Sequence, residues 1–428
     1  MCSFIFTNKE LNNKDINTLS SKRGPDHTEF KKIQNYNIFH NLLDISKKKA
    51  IQPIVENNII LLFNGEIYEP KSECDTYSII PLYIKYGKKF IEKINGEYAI
   101  FIMDENENKF FLYSDVFATK PLFYSIEDEY FGVSSYSSEL KKLKFKEIKR
   151  VEPSTFIEID LNSFIVKKYE HSKFDLTEYK NNYDDCILAL EHSFKLRCND
   201  RVGVGLSSGH DSGAILQWFI SNKLENGTFY TINNNRESHD VMLKRYAKCE
   251  ENNIKYKYID YFKHAKIFDE LEFKYLSSNM ELFDYYKSEF SLFEISKLLK
   301  DIKRDGINIF ISGQGSDEII SNYYEHEVFF KNLKEQFPWE NFYDGKNRLY
   351  IDELEYVGGS YGLEVRYPFL DKFFVQEFLN LSSNLKSSRY KSIISEYLDR
   401  HLMPVNKNKQ GMGIKRNKYL FNKIRLNS

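Results

Sequence analysis

Cys2 follows directly on Met1, so removal of the methionine leaves a thiol beside its own α-amine. An α-amine titrates at about pH 7.7–8.0 and can take the thiol proton near neutrality, which is the chemistry of an N-terminal nucleophile. Asn64-Gly65 follows the apolar run at 59–63, and that pair is a strong hairpin-turn signal. A turn that sets a backbone N–H beside an Asn amide also makes an oxyanion hole. A second chemistry is written further on. Val202-Gly203-Val204-Gly205-Leu206 runs into Ser207-Ser208-Gly209-His210-Asp211-Ser212-Gly213. A small-residue strand, a Ser/Gly turn and a helix start gather N–H groups and a helix dipole around phosphate, although such a turn also serves as a plain cap. No lysine follows, so this is not the Gly-x-x-x-x-Gly-Lys loop. A similar element runs from the strand at 307–311 into Ser312-Gly313-Gln314-Gly315-Ser316-Asp317-Glu318. Asp211 and Asp317 then end neighbouring strands, where two carboxylates can share a magnesium ion that neutralises departing pyrophosphate.

The elements that must position these residues have two textures. To about residue 170 short β-runs dominate, at 59–63, 98–103, 110–113, 156–159 and 164–166, with one amphipathic helix over 76–94. From about residue 180, helices at 183–196 and 213–220 alternate with strands at 202–206, 229–232 and 307–311, which predicts a parallel α/β sheet. Residues 170–182 read as the linker. The basic run 141–150 alternates like a solvated strand face, and the basic segment 407–425 reads as a polar tail or a contact for nucleotide phosphates.

The 428 residues predict two domains, or three. With 61 basic against 62 acidic residues there is no global pull toward nucleic acid or anionic membrane. Cysteines at 2, 74, 186, 198 and 249 are odd in number and form no C-x-x-C, which argues against a disulfide framework or structural zinc and for a reducing compartment. The residues after Met1 are too short an apolar run for a secretory leader, and the run 59–63 is too short for a membrane span. A cytoplasmic protein is predicted.

Cys2, Arg23-Gly24-Pro25-Asp26, Asn64-Gly65-Glu66-Ile67-Tyr68 and Asp115-Val116-Phe117-Ala118-Thr119-Lys120-Pro121-Leu122 resemble the class II glutaminase domain of the glutamine-hydrolysing asparagine synthetases. Ser138-Glu139-Leu140-Lys141 and Pro153 also fall in family places. The resemblance implies an N-terminal-nucleophile αββα sandwich over 1–170. In it Cys2 attacks the glutamine side-chain amide, Asn64 and Gly65 stabilise the oxyanion, and Glu66 and Asp75 hold the amino-acid end. One position departs. The family's His-x-Arg-Leu-x-Ile segment reads His40-Asn41-Leu42-Leu43-Asp44-Ile45, so Leu42 replaces the Arg that grips the α-carboxylate. Loss of that guanidinium removes about 1.5–3 kcal/mol. Either another cation replaces it, with Lys47, Lys48 and Lys49 close in sequence, or glutamine binds weakly.

Residues 171–428 resemble the synthetase domain of the same family, a parallel-sheet α/β ATP-pyrophosphatase with a PP-loop. The family's Ser-Gly-Gly-x-Asp-Ser loop is matched at 207–212, with Ser208 for a glycine. Its Gly-x-Gly-x-Asp-Glu loop is matched at 313–318, and its Glu-x-Arg-x-Pro-Phe-Leu-Asp segment at 364–371. Lys391 and Lys409 fall at two lysine places. The resemblance implies ATP and Mg²⁺. ATP or pyrophosphate would lie on Leu206, Ser207, Ser208, Gly209, Asp211, Ser212, Ile232, Ser312, Gly313 and Lys391. Asp211 and Asp317 would hold the metal, and Lys409 would act as a catalytic cation. Gln314, Glu364 and Arg366 would line the acceptor pocket, with Glu364 and Arg366 reading first as an ion pair that braces it. The implied reaction is adenylation of a carboxylate at the α-phosphorus, after which ammonia displaces AMP.

Gln314 is a second departure, since the resemblance places Glu there in aspartate-using members and Tyr in lactam-forming ones. Gln cannot act as a carboxylate base. The region after Asp371 is also shorter than in typical asparagine synthetases. The acceptor is therefore aspartate or another carboxylate, such as a sugar acid, a peptide or a natural-product precursor. Three readings stand: a glutamine-dependent AMP-forming amide ligase, an amide-forming ligase or cyclase that uses another amine, and a binding homologue without catalysis. Retention of Cys2, Asn64, Gly65 and Asp75 favours the first. Its partners are glutamine, ATP and a carboxylate, with neither nucleic acid nor membrane, and a homodimer is among the assemblies the resemblance allows.

Overall fold

Alternating apolar side chains sort the N-terminal half into layers. In the strand Ile59–Glu69, Ile60 and Leu62 join Phe4, Phe6, Ile38 and Phe101 in one core, while Ile59, Leu61 and Phe63 pack on Ile79, Ile80 and Tyr83. This is the period-two pattern of a strand buried on both faces. The computed structural model describes residues 2–11, 20–45, 48–233, 237–260, 291–321 and 329–406. Two six-stranded sheets stack on the first of these cores. One has Ser3–Thr7 between Tyr36–Leu42 and Tyr130–Ser134, all antiparallel. The other has Asn95–Asp104 between Ile59–Glu69 and Lys109–Ser114, also antiparallel. The helix Asp75–Tyr86 covers the outer face of the second sheet, and Leu140 of the helix Ser137–Lys142 packs on Ile5 and Phe39 of the first. The result is the αββα sandwich that the resemblance implies.

Several local expectations fail for identifiable reasons. Asn64-Gly65 forms no hairpin turn, because the strand runs unbroken from Ile59 to Glu69. Gly65 is there for close approach: its φ is 143°, and a Cβ would lie 2.0 Å from the Glu97 carbonyl oxygen. The helix expected over 76–94 stops at Tyr86, since Gly87 turns to φ 61°, and continues as the 3₁₀ segment Gly87–Lys93. The last strand of the half is Val166–Glu170; Phe164, at φ 52°, lies in the preceding turn. The basic run 141–150 is no single strand face, as it combines the end of the helix Ser137–Lys142 with the two-residue strand Lys149–Arg150. The segment 407–425, with Lys409, lies outside the described residues, as does Lys47.

In the C-terminal half the strands Lys255–Asp260, Gly227–Asn233, Val202–Gly205, Ile309–Ile311 and Glu364–Arg366 lie side by side in that order, all parallel. Val202–Gly205 is the earliest in sequence and lies in the middle, so the order reverses between it and Ile309–Ile311. In open parallel sheets the crevice beyond the carboxyl ends at such a reversal is where ligands bind. The loops after these two strands are the ones rich in Ser and Gly. No helix among the described residues is long and apolar enough to cross a membrane.

Buried charges join the halves. Arg23 pairs with Glu355, and the Lys120 ammonium lies 2.8 Å from Glu355 and 3.5 Å from Glu97. Arg197 reaches Glu97 at 2.7 Å and Asp371 at 2.9 Å. Asp371 also caps the helix Lys372–Asn380, accepting from the N–H groups of Phe373 and Phe374. Desolvation offsets the attraction within such pairs, whereas removing one partner strands a buried charge.

Candidate functional site

The first chamber forms where the two sheets and the C-terminal half meet. Asn64 Oδ1 accepts the Cys2 N–H at 2.9 Å, which leaves the buried Asn64 Nδ2 with no hydrogen-bond partner among the described residues. A buried amide donor without an acceptor is rare and costly unless a ligand supplies one. Arg23 Nε donates to the Cys2 carbonyl oxygen at 3.0 Å and fixes the backbone behind the thiol. Burial pushes the Cys2 thiol above its ordinary value, against the lowering effect of the nearby amino terminus and the Leu43 backbone. The register that sets Ser3 opposite Asn41 puts Leu42 across from Cys2.

Glu66 lies two residues beyond Asn64, on the same face of the strand. Burial, with Asp75 and Glu364 adding to it against Arg366, pushes its carboxyl up to about 8. Asp75 begins the helix Asp75–Tyr86 and accepts from the N–H groups of Ile67 at 3.0 Å and Thr76 at 2.7 Å. These elements thus bring together the Cys2 thiol, an Asn64 amide donor without a partner among the described residues, and the Glu66 and Asp75 carboxyls.

The second chamber lies at the carboxyl ends of the central parallel strands. Ser207 and Ser212 hold the first loop together: Ser212 Oγ accepts the Ser207 N–H at 3.1 Å and lies 2.9 Å from Ser207 Oγ. The Ser208 N–H donates to the Glu237 carboxylate at 2.5 Å, so the loop amide already holds an anionic group. Arg245 Nη2 donates to the Gly209 carbonyl at 2.9 Å, and the space beside it admits no Cβ at Gly213. Leu206 and Ile232 are buried at the ends of adjoining strands. Ser312 receives the backbone of the edge strand, its N–H donating to Arg366 O at 2.9 Å. Gln314 Nε2 is a buried donor without a partner among the described residues.

Asp211 and Asp317 converge on one cation. Lys391 Nζ lies 2.6 Å from each Asp211 oxygen and 3.2 Å from Asp317 Oδ1. Ser316 Oγ donates to Asp211 at 2.5 Å and the Tyr390 hydroxyl to Asp317 at 2.7 Å. Lys391 itself adopts left-handed backbone, φ 46°, a conformation of non-glycine residues that clusters at functional sites. Among the described residues no group of three or more His, Cys, Asp and Glu could hold a metal. Two carboxylates do fit Mg²⁺, which completes its shell with substrate phosphates and water.

Glu364 and Arg366 stand between the chambers. Arg366 Nε donates to Glu364 at 2.5 Å, the ion pair read from sequence, and Arg366 Nη2 lies 3.6 Å from Glu66. Sequence reasoning missed Arg245, Ser316, Tyr390, Glu237 and Glu355. Only Ser316 and Tyr390 carried a signal, as polar neighbours of Asp317 and Lys391.

Residues 1–175 match the family model described as a glutamine amidotransferase domain. Across most of its length the chain is similar to glutamine-hydrolysing asparagine synthetases. A Methanocaldococcus jannaschii protein assigned as one is 27% identical over 402 residues, covering 83% of this chain and 71% of that protein. The asparagine synthetase of Mus musculus is 26% identical over 429 residues, covering 85% and 73%. Among solved structures, the glutamine phosphoribosylpyrophosphate amidotransferase from B. subtilis is 14% identical with a TM-score of 0.32, covering 60% of this chain and 65% of that one.

Proposed function

We propose that the chain is an ATP-dependent, AMP-forming amide ligase that moves glutamine-derived ammonia onto an activated carboxylate, either aspartate or another acid. The single observation that carries this reading is the convergence of Asp211 and Asp317 on Lys391 in the same chain as the Cys2–Asn64 pair.

In the first chamber the Cys2 sulfur attacks the glutamine amide carbon, and its proton passes to the α-amine freed by loss of Met1. Asn64 Nδ2 donates to the oxyanion, and Glu66 and Asp75 hold the substrate ammonium. Collapse releases ammonia and leaves a thioester that water hydrolyses. In the second chamber the loops at 207–212 and 312–315 bind and orient ATP through backbone N–H groups, in the place where Glu237 now sits. Magnesium on Asp211 and Asp317 would supply charge neutralisation for pyrophosphate. Lys391 offers a second cation at that point. Gln314 Nε2 donates to an oxygen of the acceptor, and Glu364 with Arg366 braces the wall between the chambers. Lys409 adds a further cation in this reading. AMP then leaves as ammonia forms the amide.

The decisive experiment is pyrophosphate release from ATP across a panel of carboxylates, with glutamine compared against ammonium. Release that needs one acid and is supported by glutamine only when Cys2 is present is expected. Failure of every acid would refute the ligase reading.

A further inference from the structure

A free amino acid that brings its amide to Cys2 carries two opposite charges, and the chamber has to meet both. Glu66 and Asp75 answer the ammonium. The carboxylate needs a cation, and Leu42, opposite Cys2, supplies none. The described charges facing Glu66 from the packed elements are Asp75, Glu364, Arg366 and the amino terminus.

Arg366 is placed for this role. Its Nε is held by Glu364 at 2.5 Å, and its Nη1 donates to the Arg197 carbonyl at 3.0 Å with Asp200 at 3.4 Å. Its Nη2 donates no hydrogen bond to a described residue and is directed at Glu66, 3.6 Å away. The guanidinium lies 5.7 Å from the centre of the Tyr68 ring, which limits its movement. Glu66 is the partly accessible member of the pair, with 33% of its side chain accessible against 3% for Arg366. A ligand that meets Glu66 with its ammonium therefore brings its carboxylate to the one edge of the guanidinium still able to donate.

We propose that Arg366, a residue of the C-terminal half, grips the α-carboxylate of glutamine through Nη2. The inference rests on the glutaminase reading above. It makes Arg366 a specificity residue of the first chamber. The backbone oxygen of Arg366 also accepts the Ser312 N–H of the nucleotide-side loop, so one residue belongs to both chambers.

The test compares L-glutamine with L-glutaminamide, which keeps the side-chain amide and the ammonium but has a carboxamide for the carboxylate. In the full chain, ammonia release should show a KM for glutamine at least about tenfold below that for glutaminamide, the ratio expected for one charge-assisted contact. R366Q should raise the glutamine KM at least about tenfold more than it raises the glutaminamide KM, whose own rise reports the loss of the Arg366 charge beside Glu66. R366K should recover part of the glutamine affinity. Equal KM values for the two amides in the unaltered protein would overturn the proposal, and that comparison stands even if R366Q does not fold. So would an equal rise for both amides in R366Q, the mark of a merely structural role. Ammonia release unchanged in C2A would instead sink the glutaminase reading itself.

Discussion

Lys391 sets its ammonium 2.6 Å from both oxygens of Asp211 and bridges that residue to Asp317. Burial pushes the Asp211 carboxyl up, against the pull of Lys391, and the Asp317 charge adds to the rise. Two carboxylates face one ammonium here, and Mg²⁺ arriving with ATP would offset the charge that Lys391 does not. Removing one carboxylate should remove that remaining charge. Asp317→Asn is expected to lower acceptor-dependent pyrophosphate release by about a hundredfold or more. It should also abolish any rise in melting temperature given by ATP with Mg²⁺, while ammonia release from glutamine persists. Retention of the magnesium-dependent shift in the variant would contradict the assignment.

Asn64 uses one end of its amide on Cys2, and the other end has no partner among the described residues. Asn64→Ala should cut ammonia release by about 10²–10³, the usual loss for one oxyanion donor. Alkylation of Cys2 by iodoacetamide should continue at a comparable rate, since the thiol remains. A variant that loses alkylation along with turnover would show that Asn64 holds the nucleophile in place and does nothing for the oxyanion.

The same residues show what sequence can and cannot convey. Asn64-Gly65 reads as a hairpin turn by its residue types, yet it lies inside a strand. The glycine serves a neighbouring strand 2.0 Å from where its Cβ would be, and an approach made by Glu97, far along the chain, has no sequence signature. Residue type carried further: the uninterrupted apolar run 59–63 is a buried strand, although it continues to Glu69, and the small residues before Ser207 form the strand Val202–Gly205. Asp371 shows the opposite limit, because a motif residue can be read without its physical task. Here the task is to cap a helix and to hold Arg197. Arg245 and Glu355 were invisible because each acts on partners from other elements, across distances that no spacing rule spans.

In the proposed glutaminase step Glu66 would confer a pH dependence. Its carboxyl is pushed up to about 8 by burial, from an ordinary value of 4.5. Below that point it is protonated and attracts no ammonium, so the KM for glutamine should fall as pH rises from about 6.5 to 8. Glu66→Gln should flatten the trend. In the ligand-free protein the same group stabilises the fold fully below about 4.5, where both states hold the proton. That contribution is lost as pH rises through about 8. A KM that is flat with pH in the unaltered protein would remove Glu66 from ammonium binding.

Gly65→Ala tests the strand geometry directly. The added methyl meets the Glu97 carbonyl at 2.0 Å and a φ of 143° that other residues rarely adopt. A loss of several kcal/mol is expected, on the order of 3 or more, read from urea unfolding. A variant within about 0.5 kcal/mol of the parent would mean that the two strands separate freely at this point, at the level of an ordinary surface change.

Glu355 is the hinge of the buried contact between the halves, since it accepts Arg23 and Lys120 and also the Tyr367 hydroxyl at 3.1 Å. Glu355→Gln would take the carboxylate from Arg23 and leave Lys120 with Glu97 at 3.5 Å, and loss of one partner of a buried pair costs about 3–5 kcal/mol. Melting should drop by several degrees. Because Arg23 also donates to the Cys2 carbonyl, kcat for ammonia release should fall with it. Adding Lys120→Met to Glu355→Gln restores the balance of charge, so the double variant should be more stable than Glu355→Gln alone. If the single variant melts with the parent, the network is a bystander. If the double variant is the less stable, attraction outweighs desolvation at this interface and the two halves are held together by charge.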